Sequence, residues 1–261
     1  MDYPEPSKQQ IEQYQRDGYL VVENVVPESD LEKLRELAGE LIGRRQELAY
    51  DWDWRRDENR DARGYRIVQC FIGAHSQWLR ESQLRAWAGR FASALMNSEM
   101  HYWYDQFLGK PPGIGAPTPW HQDEAYWGRR LFDMGITFWM SFHDVDERNG
   151  CMHFLPRGHR IGMLEHCNPP EMASDLLVCQ LPPKSEYVAV PLKAGSVTFH
   201  HSKMPHMTTG NSTDAWRLTL AQHFSAEGCQ AEGDHYPWRV HVDQNSGERT
   251  LTGQLALEKT N

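Results

Sequence analysis

No apolar run in the 261 residues approaches the ~20 needed for a helix to cross a bilayer. The opening stretch, MDYPEPSKQQ, lacks the basic-then-apolar order of a secretory signal. Together these predict a cytoplasmic protein without a membrane partner. Cysteine is scarce and unpatterned. The five residues, Cys70, Cys151, Cys167, Cys179 and Cys229, are odd in number and form no C-x-x-C pair, so they read as free thiols rather than a disulfide framework or a cysteine zinc site. Positive charge is also short: 27 Lys and Arg against 36 Asp and Glu leave a formal net charge of −9. That balance disfavours nucleic acid, whose phosphates require a basic face. The arginine pairs at 44–45, 55–56 and 129–130 are too short to line a polyanion groove. No internal repeat or low-complexity tract is present.

What the chain does have is histidine (13) and tryptophan (10), the first sign of a specialised site, on a background hydrophobic enough for a core. The first third reads as helical. Ser7 caps SKQQIEQYQRDG, and Gly18 stops it. Leu31, Leu34, Leu37 and Leu41 recur at three- and four-residue spacing, as do Leu84, Trp87, Phe91 and Leu95. YLVVENVV between the helices reads as a short strand, and the charged, aperiodic DWDWRRDENRDARG as an exposed loop. From His101 onward the pattern changes to β-branched and aromatic runs divided by Gly/Pro turns, among them GITFWMSFHDV, SVTFH and RLTLAQHF. Such spacing predicts a mainly β protein, with a helical layer on one face of an antiparallel double sheet. We expect one domain over 1–261: helical to about 100, the β core over 101–225, and a polar extension over 226–261 with one strand at RVHVD.

The stretch TPWHQDEAYWG concentrates the chemistry. On an extended strand alternate side chains share a face, so His121 and Asp123 are expected to point together and Gln122 away. An imidazole and a carboxylate supply two ligands of the 2-His-1-carboxylate triad that leaves three positions open on Fe(II). The bland alternative is a hydrogen-bonded surface pair. Downstream, GSVTFHHSKMPHMTTG offers His200, His201 and His206 as a third ligand, and spacing alone does not rank them. Arg217 lies in the core-like run WRLTLAQHF, where a guanidinium needs an anionic partner. A bound carboxylate and a structural Asp or Glu both satisfy that need.

WHQD at 120–123, DVDERNGCMHFLPRGHR at 144–160, GSVTFHHSKMPH at 195–206, and Arg217 eleven residues after His206 together resemble the phytanoyl-CoA dioxygenase family of Fe(II)/2-oxoglutarate oxygenases. The resemblance spans roughly residues 10–225, with Arg157 where the middle motif usually has Gly. It implies a double-stranded β-helix (jelly-roll) core using Fe(II), 2-oxoglutarate and O₂. It also implies His121, Asp123 and His206 as metal ligands and catalytic centre, with Arg217 and Thr208 on the distal carboxylate of the co-substrate. Gln122, Trp139, Lys110 and Gln106 would line the co-substrate site. His200 and His201 become neighbours of the ligand set. The retained Asp123 separates the chain from halogenases, which carry a small residue there.

The activity so implied is hydroxylation of an unactivated C–H of a small molecule, free or tethered to CoA or a carrier, with release of succinate and CO₂. Desaturation, epimerisation, cyclisation or demethylation are alternative outcomes of the same iron-centred oxidation. A non-catalytic metal- or ligand-binding jelly roll is the alternative from another class. Tyr104, Tyr126, Trp127 and Arg129 are candidates for the substrate pocket, against the plainer readings of core aromatics and an exposed cation. Glu124 is expected to be solvated or ion-paired, while His143, His153 and His159 read as structural.

Overall fold

The computed structural model describes residues 3–48, 51–55, 65–113, 115–127, 135–167, 177–226, 239–242 and 249–252. The chain opens with α1 (Lys8–Asp17), β1 (Tyr19–Val22) and α2 (Glu28–Gly43), followed by the antiparallel pair β2 (Asp51–Arg55) and β3 (Tyr65–Cys70). Two further helices, α3 (Gln77–Arg80) and α4 (Gln83–Met96), lead into the long strand β4 (Met100–Lys110). Then come β5 (Thr118–His121), the single turn α5 (Glu124–Trp127), β6 (Gly135–Ser141), β7 (Met152–Phe154), β8 (His166–Cys167) and β9 (Val178–Cys179). The core closes with β10 (Val188–Val190), β11 (Val197–His201), β12 (His206–Thr208) and β13 (Arg217–Ala226). A separate ladder pairs β14 (Arg239–Val242) with β15 (Arg249–Thr252), and β14 covers the first four residues of the expected RVHVD strand.

Two antiparallel sheets form the body. The larger runs β1-β11-β6-β13-β4-β3-β2 and the smaller β10-β7-β12-β5, the jelly-roll arrangement that the family resemblance implies. Period-two alternation gives the larger sheet two different faces. Ile136, Phe138 and Met140 of β6, Val197 and Phe199 of β11, and Leu220 and Phe224 of β13 join the main core with residues of α1, α2 and α4. Phe91 of α4 stacks on Phe199 at 4.9 Å between centroids, and Trp87 meets Phe138 edge-on at 6.2 Å. The alternate residues, Thr137, Trp139, His200, Ala221 and His223, face the smaller sheet and line a cavity between the two. That division turns one sheet into both a hydrophobic floor for the helices and a polar wall for a site.

The helix ends follow their sequence signals. Ser7 accepts from Gln10 N while the Gln10 side chain accepts from Ser7 N, a complete capping box, and Gly18 takes the left-handed conformation (φ 78°) that ends α1. The loop expected at DWDWRR is instead the edge strand β2 over Asp51–Arg55. Its Asp-Trp-Asp-Trp alternation is a period-two pattern that the high charge content obscured; residues 56–64 lie outside the described residues. Glu124, expected to be solvated or ion-paired, is buried and accepts a hydrogen bond from Ser202 Oγ at 2.8 Å.

The helical layer is held mainly by this apolar floor. Trp87→Ala is therefore expected to lower the unfolding free energy by about 3–5 kcal/mol. Ser7→Ala should cost only about 1 kcal/mol, the value of one N-cap. Urea denaturation of the two variants checks the ratio, and equal losses would contradict it.

Candidate active site

Strand register explains how two distant histidines meet. His206 of β12 is the direct cross-strand partner of His121 at the end of β5, and their rings lie 4.1 Å apart between centroids. Each ring holds its Nδ1 2.8 Å from a carbonyl two residues upstream, Pro119 for His121 and Met204 for His206. A neutral imidazole has one N–H, and the carbonyl claims it at Nδ1, so both Nε2 atoms carry lone pairs. Asp123 Oδ1 lies 3.7 Å from His121 Nε2 and 3.5 Å from His206 Nε2. One ligand atom from each of the three residues falls within 4.8 Å of the others, a grouping able to hold a metal ion. The strand-face reasoning for the H-x-D pair does not survive, because β5 ends at His121 and Asp123 sits in the following turn.

The other carboxylate oxygen is held separately. Asp123 Oδ2 accepts from Thr137 Oγ1 at 2.6 Å and lies 3.2 Å from His200 Nε2. Burial opposes ionisation of Asp123, but His206 and His200 outweigh it and hold the carboxyl well below its ordinary range. Burial also pushes His121 down to about 4 and His206 well below the usual imidazole value. The site thus combines an anionic oxygen with two neutral nitrogens, the donor chemistry that a divalent first-row metal takes.

A second cluster lies further along the same cavity. Arg217 of β13 pairs across the strands with Lys110 of β4, placing two cations opposite each other. Such pairs are unfavourable on their own. Both side chains are buried, and neither forms an ion pair among the described residues. Arg217 donates from Nη1 to Thr219 Oγ1 (2.9 Å) and Leu108 O (3.2 Å), but its buried Nε has no hydrogen-bond partner. Lys110 Nζ donates to Thr208 Oγ1 at 2.8 Å and to Thr209 O. Burial and then Arg66 push Arg217 down to about 9, while burial, Arg217 and Arg66 push Lys110 well below its normal range. The structural Asp or Glu partner considered for Arg217 is not found among the described residues. The unpartnered Nε and the opposed charges leave this cluster able to take a carboxylate. Gly150 (φ 93°) closes over this cluster, and a Cβ there would lie 2.9 Å from Thr209 O and 3.3 Å from Arg217 Nε.

The cavity brings together most of the residues singled out in the sequence. His121, Asp123, His206, Arg217, Thr208, Lys110, Gln106, Trp139, Tyr104 and Tyr126 all line it. Gln122 does not. Its amide donates to Gly162 O and Lys203 O and accepts from Leu164 N, bracing the loops behind the site. The Trp127 side chain and Arg129 lie outside the described residues. Sequence reasoning missed Arg66, Thr137 and His223, which also line the cavity. Arg66 had the same signal as Arg217, a cation inside a β-like run (YRIVQC).

The jelly roll, with its two imidazoles, one carboxylate and buried cations along one cavity, is the frame of a non-haem Fe(II)/2-oxoglutarate dioxygenase. The family model for phytanoyl-CoA dioxygenase (PhyH) matches residues 14–219, and the chain belongs to that family. It is 22% identical to human (Homo sapiens) peroxisomal phytanoyl-CoA dioxygenase, an alignment covering 92% of this chain and 73% of that one. It is 25% identical to the methylphosphonate hydroxylase of Gimesia maris (strain ATCC 29201 / DSM 8797 / 534-30), covering 94% and 93%. The crystal structure of SnoK, a non-heme alpha ketoglutarate dependent carbocyclase from nogalamycin biosynthesis, shares the fold. The TM-score is 0.71 at 23% identity, over 87% of this chain and 86% of that one. The enzyme accordingly uses iron, 2-oxoglutarate and O₂. Among the described residues no helix is long and apolar enough to cross a membrane.

Three buried imidazoles set the acid limit of the metal-free fold. His121, His206 and His223 all titrate below the ordinary 6.5, His223 at about 3, with burial as the first cause of each shift. In the unfolded chain they protonate near 6.5, so the unfolded state binds more protons as pH drops below that value. The stability of the apoprotein should therefore fall between pH 6.5 and 4. Urea midpoints at pH 7.5 and 5 check this, and an unchanged midpoint would contradict it.

Proposed function

We propose that the protein hydroxylates an unactivated C–H of a small molecule, with His121, Asp123 and His206 holding the iron. Arg217, assisted by Thr208 and Lys110, receives the distal carboxylate of 2-oxoglutarate. The observation that carries this reading is the pairing within one cavity of three convergent ligand atoms with a buried guanidinium whose Nε lacks a partner. When bound, iron and 2-oxoglutarate activate O₂ so that one oxygen atom enters the substrate C–H and the other enters succinate, with release of CO₂.

The protein's own work is positional. The carbonyls of Pro119 and Met204 fix the tautomers of the two imidazoles, and Thr137 and His200 keep Asp123 Oδ1 turned inward. The cationic cluster orients the co-substrate along the cavity. Tyr104, Tyr126 and Trp139 give the remaining wall aromatic surface against which a C–H can be held away from water. The retained Asp123 supports oxygenation over halogenation. The end-to-end match to a methylphosphonate hydroxylase supports hydroxylation as the outcome.

Succinate release tests the assignment. Arg217→Ala removes a charge-assisted hydrogen bond to the co-substrate, of roughly 1.5–3 kcal/mol, so the 2-oxoglutarate concentration for half-maximal turnover should rise about 10–100-fold. Iron affinity should change little. An unchanged 2-oxoglutarate requirement would reduce Arg217 to a structural residue.

A further inference from the structure

The wall facing Asp123 has an order of its own. Thr137 of β6 is the direct cross-strand partner of His200 on β11 and of His223 on β13, so the three residues form one row across the larger sheet. Cross-strand partners share a face, and all three line the cavity. All three are buried. The row meets Asp123 on the oxygen turned away from His121 and His206. Thr137 Oγ1 lies 2.6 Å from Oδ2, and His200 Nε2 lies 3.2 Å from it.

Counting hydrogens gives the row a direction. Thr137 has one hydroxyl hydrogen and two neighbours, Asp123 Oδ2 at 2.6 Å and His223 Nδ1 at 2.9 Å. An ionised carboxylate only accepts, so it takes that hydrogen. His223 Nδ1 must then carry a hydrogen of its own and donate it to Thr137 Oγ1. The other ring nitrogen, Nε2, lies 3.1 Å from the Gln106 amide, whose far atom lies 3.1 Å from Cys70 Sγ. With Oε1 at the ring, His223 would need hydrogens on both nitrogens, a cation in a place where burial drives the ring neutral. Exchanging the amide's oxygen and nitrogen, which are nearly equal in shape, removes the conflict. Gln106 Nε2 then donates to His223 Nε2, and the Cys70 thiol donates to Gln106 Oε1. In either amide orientation His223 donates to Thr137 and Thr137 to Asp123. His200 is consistent with this order: its buried Nδ1 has no hydrogen-bond partner, so a neutral ring keeps its hydrogen on Nε2, toward Asp123.

We infer that Thr137 is a positioning residue for the metal carboxylate, and that a one-way hydrogen-bond chain from Gln106 through His223 orients its hydroxyl toward Asp123 Oδ2. The inference rests on the reading of His121, Asp123 and His206 as the metal ligands. Its chemical content is denticity. With Oδ2 occupied by two donors, Asp123 offers a metal only Oδ1, which keeps positions open for the co-substrate and O₂. Without the Thr137 donor only the longer His200 contact holds Oδ2, and the carboxylate can turn to chelate through both oxygens. By hydrogen bonds His223 reaches Asp123 through Thr137 Oγ1, so its effect on the orientation of that hydroxyl passes through Thr137.

Cobalt(II) binding to the full-length protein tests this, with affinity from chelator competition and coordination number from visible d–d absorption. Thr137→Val keeps the shape of the side chain and removes the hydroxyl. It should weaken Co(II) binding about 10–100-fold, as loss of an outer hydrogen-bond partner typically does. It should also lower the d–d intensity, as expected when a carboxylate becomes bidentate. Thr137→Ser should restore both. His223→Leu should weaken binding alone yet add nothing in the Thr137→Val background, because both changes break the same chain. Wild-type affinity and spectrum in Thr137→Val, or independent multiplying losses in the double variant, would overturn the inference. Thr137→Ala against Thr137→Ser, which differ only in the hydroxyl, carries the same prediction should the valine variant not fold. Asp123→Asn separates the two levels. If it leaves Co(II) binding intact, the ligand assignment itself fails. If it weakens binding while Thr137→Val does not, only the role of Thr137 fails.

Discussion

A carboxylate kept ionised between two sheets is the constraint on which the rest of the site depends. Burial alone would protonate Asp123, and an unpaired buried anion is among the most costly groups a fold can carry. The protein answers with donors on one of its two oxygens. His200 and Thr137 approach one oxygen, while the edges of His121 and His206 flank the other. These partners come from four separate strands, β5, β6, β11 and β12, while Asp123 itself sits in the turn after β5. The site is therefore complete only when both sheets are in register, and register is fixed elsewhere, by the apolar residues that alternate with the polar ones. Phe138 and Phe199, on the far faces of β6 and β11, are packed beneath the helices. The same alternation that buries them points Thr137 and His200 inward.

The cavity is electrically polar along its length. One region presents an anionic oxygen and two neutral nitrogens, while another presents Arg217 and Lys110 directly opposed, with Arg66 on the same wall. A metal cation suits the first and a carboxylate the second. A ligand spanning the two would carry a metal-binding group at one end and a carboxylate at the other, as 2-oxoglutarate does. Burial first, and neighbouring cations after it, disfavour charge on Lys110 and Arg217, and a bound anion would offset that cost.

Much of the frame was legible in the sequence because it rests on local rules. The capping box at Ser7, the left-handed Gly18 and the leucine spacing of α2 each specify an element without reference to anything distant. The strand β2 was missed because its alternating Asp and Trp residues carry enough charge to look like a loop. In the site, the two side chains of H-x-D converge, but not for the reason their spacing suggests. They meet through a turn after the strand, and Gln122 between them is spent on Gly162, Leu164 and Lys203 rather than on the cavity. Among His200, His201 and His206, spacing could not choose, because only the β12–β5 register sets His206 opposite His121. Thr137 and His223 were invisible for a related reason. A polar residue on a half-buried strand is the ordinary state of a sheet, and only the alignment of three strands makes these two into a row.

The most direct test of the central claim is an anaerobic titration of the apoprotein with Fe(II) and then 2-oxoglutarate, followed by the weak visible metal-to-ligand charge-transfer band. The account predicts a band that appears only when both are present, is lost in His206→Ala, and is largely retained in His200→Ala. Iron binding without a band, or a band that survives His206→Ala but not His200→Ala, would contradict the assignment of the site.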